Sequence, residues 1–142
     1  MANGLYDKGR EAFLGGDIDW DADNIKIALI DTDNYTVNLS THQYMNHDTV
    51  ASGAKVKISG NLSSKTKVAG VADAADEVLA AVSGATCEAV IVFKDGGDGG
   101  TSQSGVLDLL IAYFDTFDSG MPVSPNGGDI TISWNASGIF KL

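Results

Sequence analysis

From Trp20 onward, apolar and polar residues alternate with a period of two. "NIKIALID" sets Ile25, Ile27 and Leu29 on one side and Lys26 and Ala28 on the other, the spacing of a half-buried strand. "AKVKISG" sets Val56 and Ile58 inward and Lys55 and Lys57 toward water. "TCEAVIVFK" sets Cys87, Ala89, Ile91 and Phe93 against Glu88, Val90 and Val92. "GVLDLLIAYFD" is apolar on both sides from Leu109 to Phe114, which predicts a central strand covered on both faces. "GDITISWNASGIFKL" reads as a closing hairpin, with Ile130, Ile132 and Trp134 pointing one way and "NASG" turning the chain.

The first segment has a different period. In "NGLYDKGREAFLGG", Tyr6, Arg10 and Phe13 follow helical spacing, with Leu5 and Gly9 on a neighbouring stripe. Asn3 is placed to cap the start, and Gly15-Gly16 to give a left-handed exit. Gly9 weakens such a helix by about 1 kcal/mol relative to alanine. A helix this short is not stable alone, so packing must hold it. The stretch around residues 72–83, "DAADEVLAAVSG", is rich in helix formers, which leaves helix and strand both open. Its place between the strand-like runs "SSKTKVAGV" and "TCEAVIVFK" favours a strand.

Between these runs lie Gly, Asn, Asp and Ser clusters: "DTDNYTVNLSTHQYMNHD", "KDGGDGGTSQSG" and "DSGMPVSPNGGD". Short strands with this punctuation predict a mainly β, single-domain antiparallel β-sandwich or jelly-roll-like barrel with a short N-terminal helix. The helical segment takes residues 1–16, packed on the body or extending from it, and the sandwich takes 17–142. The sequence has no internal repeat and no break in composition.

Charge narrows the partners. Nineteen acidic residues against nine basic ones give a net charge of -10, which repels a phosphate backbone, so no nucleic-acid partner is expected. Arg10 is the sole arginine, the residue type best suited to bidentate phosphate contacts. No apolar run reaches the roughly 18–20 residues that span a bilayer, and no membrane partner is expected. The N-terminus lacks the apolar stretch of a secretory signal, so folding in the cytoplasm of the producing cell is expected. Cys87 is the lone cysteine, which rules out an intramolecular disulfide and reads as a small buried hydrophobe. Asn34, Asn38, Asn61 and Asn135 each begin an Asn-x-Ser/Thr triplet, but without a signal they read as turn and strand-end residues.

Of the alternating Asp17, Asp19, Asp21 and Asp23 in "GGDIDWDADNIKIALIDTDN", the first three fit the first ligand positions of a calcium loop. Position six is then Ala22 and position twelve Ala28, which cannot chelate. An acidic turn at a strand edge is the better reading. "KDGGDGG" occurs once, without the repeats that bind cations in parallel β-helices, and reads as a flexible hairpin loop. It lacks the Lys-Ser/Thr of a phosphate cradle. His42 and His47, five apart, share neither a helical nor a strand face, and no "GxSxG" elbow accompanies them. Acidic residues are plentiful, yet nothing marks one pair as a glycosidase dyad. No catalytic, metal or cofactor-binding residue is therefore expected. Among the aromatics Trp20, Tyr35, Tyr44, Tyr113 and Trp134, Trp134 and Tyr113 fit core filling. Tyr35 and Tyr44, in a polar loop, are the surface candidates.

The opening "MANGLYDKGREAFLGGDIDWDADNIKIALIDT" and the closing "GMPVSPNGGDITISW" with "GIFKL" resemble small virion structural proteins of tailed bacteriophages. "AVIVFKD" and "LIAYFD" support the likeness, whereas Val50 to Ala85 matches by strand pattern alone. The resemblance carries no catalytic residue and implies a structural role, foremost a capsid decoration or cement protein. Such a protein would sit on the virion's outer shell after synthesis in the host bacterial cytoplasm. Its partners would be the major capsid protein and other copies of itself, a trimer being favoured. The residues expected to meet a partner are Leu5, Tyr6, Arg10 and Phe13 in the helical segment, with Tyr35 and Tyr44 in the loop. A tail or head-fibre component, a β-sandwich carbohydrate-binding module using loop aromatics, and a calcium-binding module stay open beside it.

Overall fold

Neighbouring strands whose alternate residues are apolar on both sides can form one sheet with a core on each face. The computed structural model describes residues 3–45, 49–97, 108–117 and 120–142 and contains such a sheet. In chain order its elements are β1 (Gly4–Leu5), α1 (Asp7–Leu14), β2 (Ile25–Ile30) and β3 (Lys55–Ile58). They are followed by β4 (Val71–Ala72), β5 (Glu77–Leu79), β6 (Ala89–Lys94), β7 (Leu109–Phe114), β8 (Ile130–Ile132) and β9 (Phe140–Lys141). The main sheet runs β1-β7-β6-β2-β3, antiparallel throughout, with Ala28 opposite Ile91 and Val92 opposite Ala112. Two small antiparallel pairs, β4 with β9 and β5 with β8, make up the rest.

One face of the sheet presents Ile25, Ile27, Leu29, Val90, Val92 and Ile111 to a cover that includes Ala12 of α1, Ala72 of β4, Leu79 of β5 and Ile132 of β8. The other presents Ala28, Ile30, Ala89, Ile91, Phe93, Leu110 and Tyr113 to Tyr35, Met45, Val50 and Ala54. Fully burying each large aliphatic side chain contributes about 1.5–3 kcal/mol. The antiparallel sheet, its second β layer and the N-terminal helix form the mainly β, sandwich-like fold that the alternation predicts. β7 has buried residues on both faces, as its composition requires.

The helix sits flush on β7. A Cβ added at Gly9 would lie 2.6 Å from the Leu110 carbonyl oxygen and 3.1 Å from the Ile111 Cα. The glycine that costs helix propensity therefore permits the contact that stabilises the helix. The helix ends at Leu14, and the chain leaves it through Gly16, whose φ is 80°. There the Asp17 amide donates to the Ala12 carbonyl at 2.8 Å and the Gly16 amide to Phe13 at 3.3 Å, satisfying two of the last carbonyls.

Several local expectations are corrected. Asn3 does not cap the helix, because β1 intervenes and Tyr6 takes the cap position without a side-chain bond. Asn3 Oδ1 instead accepts from the Asp115 and Thr116 amides, both at 2.9 Å, tying the chain start to the end of β7. In β3 a register shift opposite Leu29 and Ile30 breaks the alternation. Val56 packs with the first core and Ile58 with the second, while Lys55 is half-buried and donates to the Met45 carbonyl. Two lysines on this outermost strand discourage pairing with another chain. Cys87 is buried but belongs to the first core rather than with Ala89, Ile91 and Phe93. It precedes β6, bridging to Val123 through bonds of 2.8 and 2.9 Å. Burial, then the charges of Glu88 and Asp31, pushes its thiol up to about 11.

The closing segment is not a hairpin. β8 pairs with β5 and β9 with β4, although the turn at "NASG" forms, with the Gly138 amide on the Asn135 carbonyl at 2.9 Å. Ile130, Ile132 and Trp134 do share one core. The stretch around residues 72–83 contains the strand Glu77–Leu79 and no helix; three paired positions with β8 outweigh its helix propensity. Tyr113 is buried, and the half-buried Trp134 ring meets Phe114 at 6.2 Å.

Candidate interaction surface

The acidic turn that precedes β2 is built from its own hydrogen bonds and from lysines. The Asp19 amide donates to Asp23 Oδ2 at 2.8 Å and the Asp23 amide to the Asp19 carbonyl at 2.9 Å. Lys67 pairs with Asp21 at 3.0 Å and Lys94 with Asp23 at 3.1 Å. Lys94 also donates to the Asp17 carbonyl at 2.6 Å, and Lys65 to that of Asp23. Burial opposes ionisation of Asp23, but the Asp19 amide and the Lys94 ammonium outweigh it and lower its pKa. A hydrogen bond with Asp19, then Lys67, lowers that of Asp21. Among the described residues, no group of three or more His, Cys, Asp or Glu is placed to share a metal ion.

Three of the six expected contact residues face inward. Leu5 is buried in the first core, and Tyr6 and Tyr35 in the second, where their hydroxyls meet at 2.8 Å. Tyr35 is thus not a surface aromatic: its polar neighbours fold back over the sheet and carry its ring inside. Tyr44 is half-buried and bridges to Leu109. Arg10 is exposed and pairs with Asp7 at 3.0 Å. Phe13 is half-buried, its ring 6.0 Å from Phe140.

Phe13 opens onto an apolar groove of about 320 Å³. Ile18, Trp20, Ala72, Phe140 and Leu142 also line it, with Asp19 and Lys67 among its polar residues. Trp20 packs edge-on to Phe140 at 5.2 Å and donates its indole N–H to the Asp73 carbonyl at 3.3 Å. Three of the most exposed large hydrophobic residues lie in or next in sequence to this lining: Leu14 at 90%, Val68 at 75% and Leu142 at 59% exposure. Val68 stands on a tight turn whose next residue, Ala69, has φ 55°, a conformation that costs a non-glycine residue about 1 kcal/mol.

Sequence reasoning passed over Leu14, Val68, Phe140 and Leu142. Leu14 had a signal: with Asp7, Arg10 and Glu11 it falls on one helical face, where a leucine among charges is out of place. Val68 had none, since its exposure comes from a turn with no sequence mark.

A second polar cluster lies across the sheet. Tyr35 Oη is 2.8 Å from His42 Nδ1, which also accepts from the Asn38 amide at 3.3 Å. At the base of the β6–β7 connection, Lys26 pairs with the buried Asp95 at 2.8 Å and the Gly96 amide donates to Asp108 at 2.7 Å. The glycine-rich loop expected there runs on into residues 98–107, which lie outside the described residues, as does His47. No protein-family model matches this chain, and no curated protein matches it significantly in sequence.

Proposed function

We propose that this protein is a structural component of a tailed-phage virion, a decoration protein that adheres to the outer capsid shell and catalyses no reaction. The observation that carries this reading is the groove between α1 and β9. It is lined largely by the two chain ends that resemble phage structural modules, and exposed Leu14 and Leu142 flank them. Exposed apolar residues gathered around an apolar groove, rather than scattered singly, mark an interaction site.

The occupant we assign is the major capsid protein, through an apolar side chain set beside lysine or arginine. Charge complementarity argues for that chemistry: the protein carries -10 overall, and Asp19 lines the groove. Each copy would cover a modest area, and symmetric copies, a trimer by preference, would add their contacts. A protein that binds only the mature shell stabilises that shell by mass action.

Co-sedimentation with purified capsids tests the reading. A decoration protein appears at a copy number comparable to the major capsid protein, and Leu14→Asp with Val68→Asp abolishes attachment while the isolated protein melts as before. Scarcity on capsids but presence on tails would transfer it to the tail. Absence from both would overturn it.

A further inference from the structure

We propose that the hydrogen-bonded chain Tyr6–Tyr35–His42 is a pH-operated latch, holding residues 38–42 over the start of α1 while His42 is neutral and releasing them when it gains a proton.

The hydrogen-bond directions follow from one donor. The Asn38 backbone amide can only donate, and it points at His42 Nδ1 at 3.3 Å. Nδ1 therefore bears no proton, and the neutral ring carries its hydrogen on Nε2. Tyr35 Oη, 2.8 Å from the same nitrogen, then donates to it and accepts from Tyr6 Oη at 2.8 Å. Every hydroxyl hydrogen in the chain has an acceptor.

A proton on Nδ1 reverses this order. His42 must now donate to Tyr35 Oη, and the two phenols hold one hydroxyl hydrogen without an acceptor: that of Tyr35 if it keeps accepting from Tyr6, or that of the fully buried Tyr6 if Tyr35 turns to donate to it. The Asn38 amide also faces an N–H instead of a lone pair. Both penalties vanish if the 38–42 turn swings away.

That turn is attached to the helix. Leu39 accepts the Asp7 amide at 2.8 Å, one of the otherwise unpaired donors at the start of α1. Within the turn, Asn38 accepts from the Ser40 and Thr41 amides through its side chain and from His42 through its carbonyl. Release would consequently reach the helix.

Few charges complicate the titration. Burial lowers the pKa of His42. Behind Tyr35 stands Tyr113; burial raises both phenols to about 12, and Tyr6 well above its ordinary value, so all three stay neutral. From α1, Asp7 is paired with Arg10. From the turn after β2, Asp31 accepts from Asp33 and Asn34. Glu88 and Asp115 lie beyond Tyr113 and act on it.

The sign follows from the depressed folded value. The latch is closed above about pH 6.5, the ordinary histidine value, and opens as pH falls through the lower value of the folded protein. Each unit between the two weakens closure tenfold in the protonated form.

The test is an NMR titration of the full-length protein from about pH 7.5 to 4.5, with His47→Gln to leave one imidazole. His42 should titrate below 6.5. Over that step the exchange protection of the Asn38 and Asp7 amides, corrected for intrinsic rates, should fall tenfold per unit of depression. In Tyr35→Phe, His42 should move back toward 6.5 and the pH dependence of protection should fade. If that variant does not fold, His42→Gln should give protection independent of pH. A His42 value at or above 6.5, or protection that changes equally in His42→Gln, would overturn the latch.

Discussion

The two faces of the main sheet are covered by different means. The first lies under α1 and the paired strands β4–β9 and β5–β8, whose backbone groups bond largely to one another. The second lies under the described residues of 31–45 and 49–54, among which no strand is formed and a short helical turn spans Ser52–Ala54. Side chains do there what strand pairing does opposite: Tyr6, Tyr35 and His42 bond in series, Asp31 holds its own turn, and Lys55 holds the Met45 carbonyl. The same sheet thus supports one cover held by paired strands and one held by side-chain contacts together with scattered backbone bonds, such as that from the Met45 amide to the Asp108 carbonyl. A regular cover shares its load over many equivalent bonds, whereas a polar cover concentrates it on a few, each costly to leave unmade.

The largest effects should fall on the sheet, where the faces are equal. Phe93→Ala on the second face should cost about 3–5 kcal/mol and Ile27→Ala on the first about 2–5 kcal/mol. Both should lower the urea midpoint without changing its slope. A change of slope in either would mean that its face unfolds separately. Gly9→Ala comes next. Although it improves helix propensity, its methyl meets the β7 backbone and should cost about 1–3 kcal/mol net; a stabilised variant would mean that α1 rides more loosely on the sheet.

Tyr35→Phe should cost about 1–2 kcal/mol, because it leaves the buried Tyr6 hydroxyl without its partner. Its effect on hydrogen exchange sharpens the comparison: protection should drop across residues 31–45 and stay unchanged in β5 and β8. Equal loss on both faces would abolish the distinction. Smallest of all, Arg10→Ala should stay within about 0.5 kcal/mol in thermal melts, since its pair with Asp7 is exposed.

Much of this fold can be read without coordinates. Alternation of period two places β2 and β6, and the double-sided apolar run marks β7 as a strand covered on both faces. The helical stripe and Gly15-Gly16 bound α1. The candidate surface was less legible. The spacing of Phe13 marks it as a surface candidate, but the polar neighbours of Tyr35 point to exposure although its ring is buried, because they describe the chain around a residue and not what lies above it. Leu14 was visible as a leucine among charges, and Val68 was not visible at all.

Residue order sets the period of each segment, and within an unbroken strand the period assigns alternate side chains to opposite faces, because that follows from local backbone geometry. Order does not settle which strands meet. "GDITISW" and "GIFKL" adjoin in sequence yet pair with β5 and β4, since pairing depends on which distant segments close the same core. The burial of Tyr35, the bulge in β3 and the groove between the chain ends likewise arise from residues far apart in the chain. They exist only once the sheet has brought those residues together.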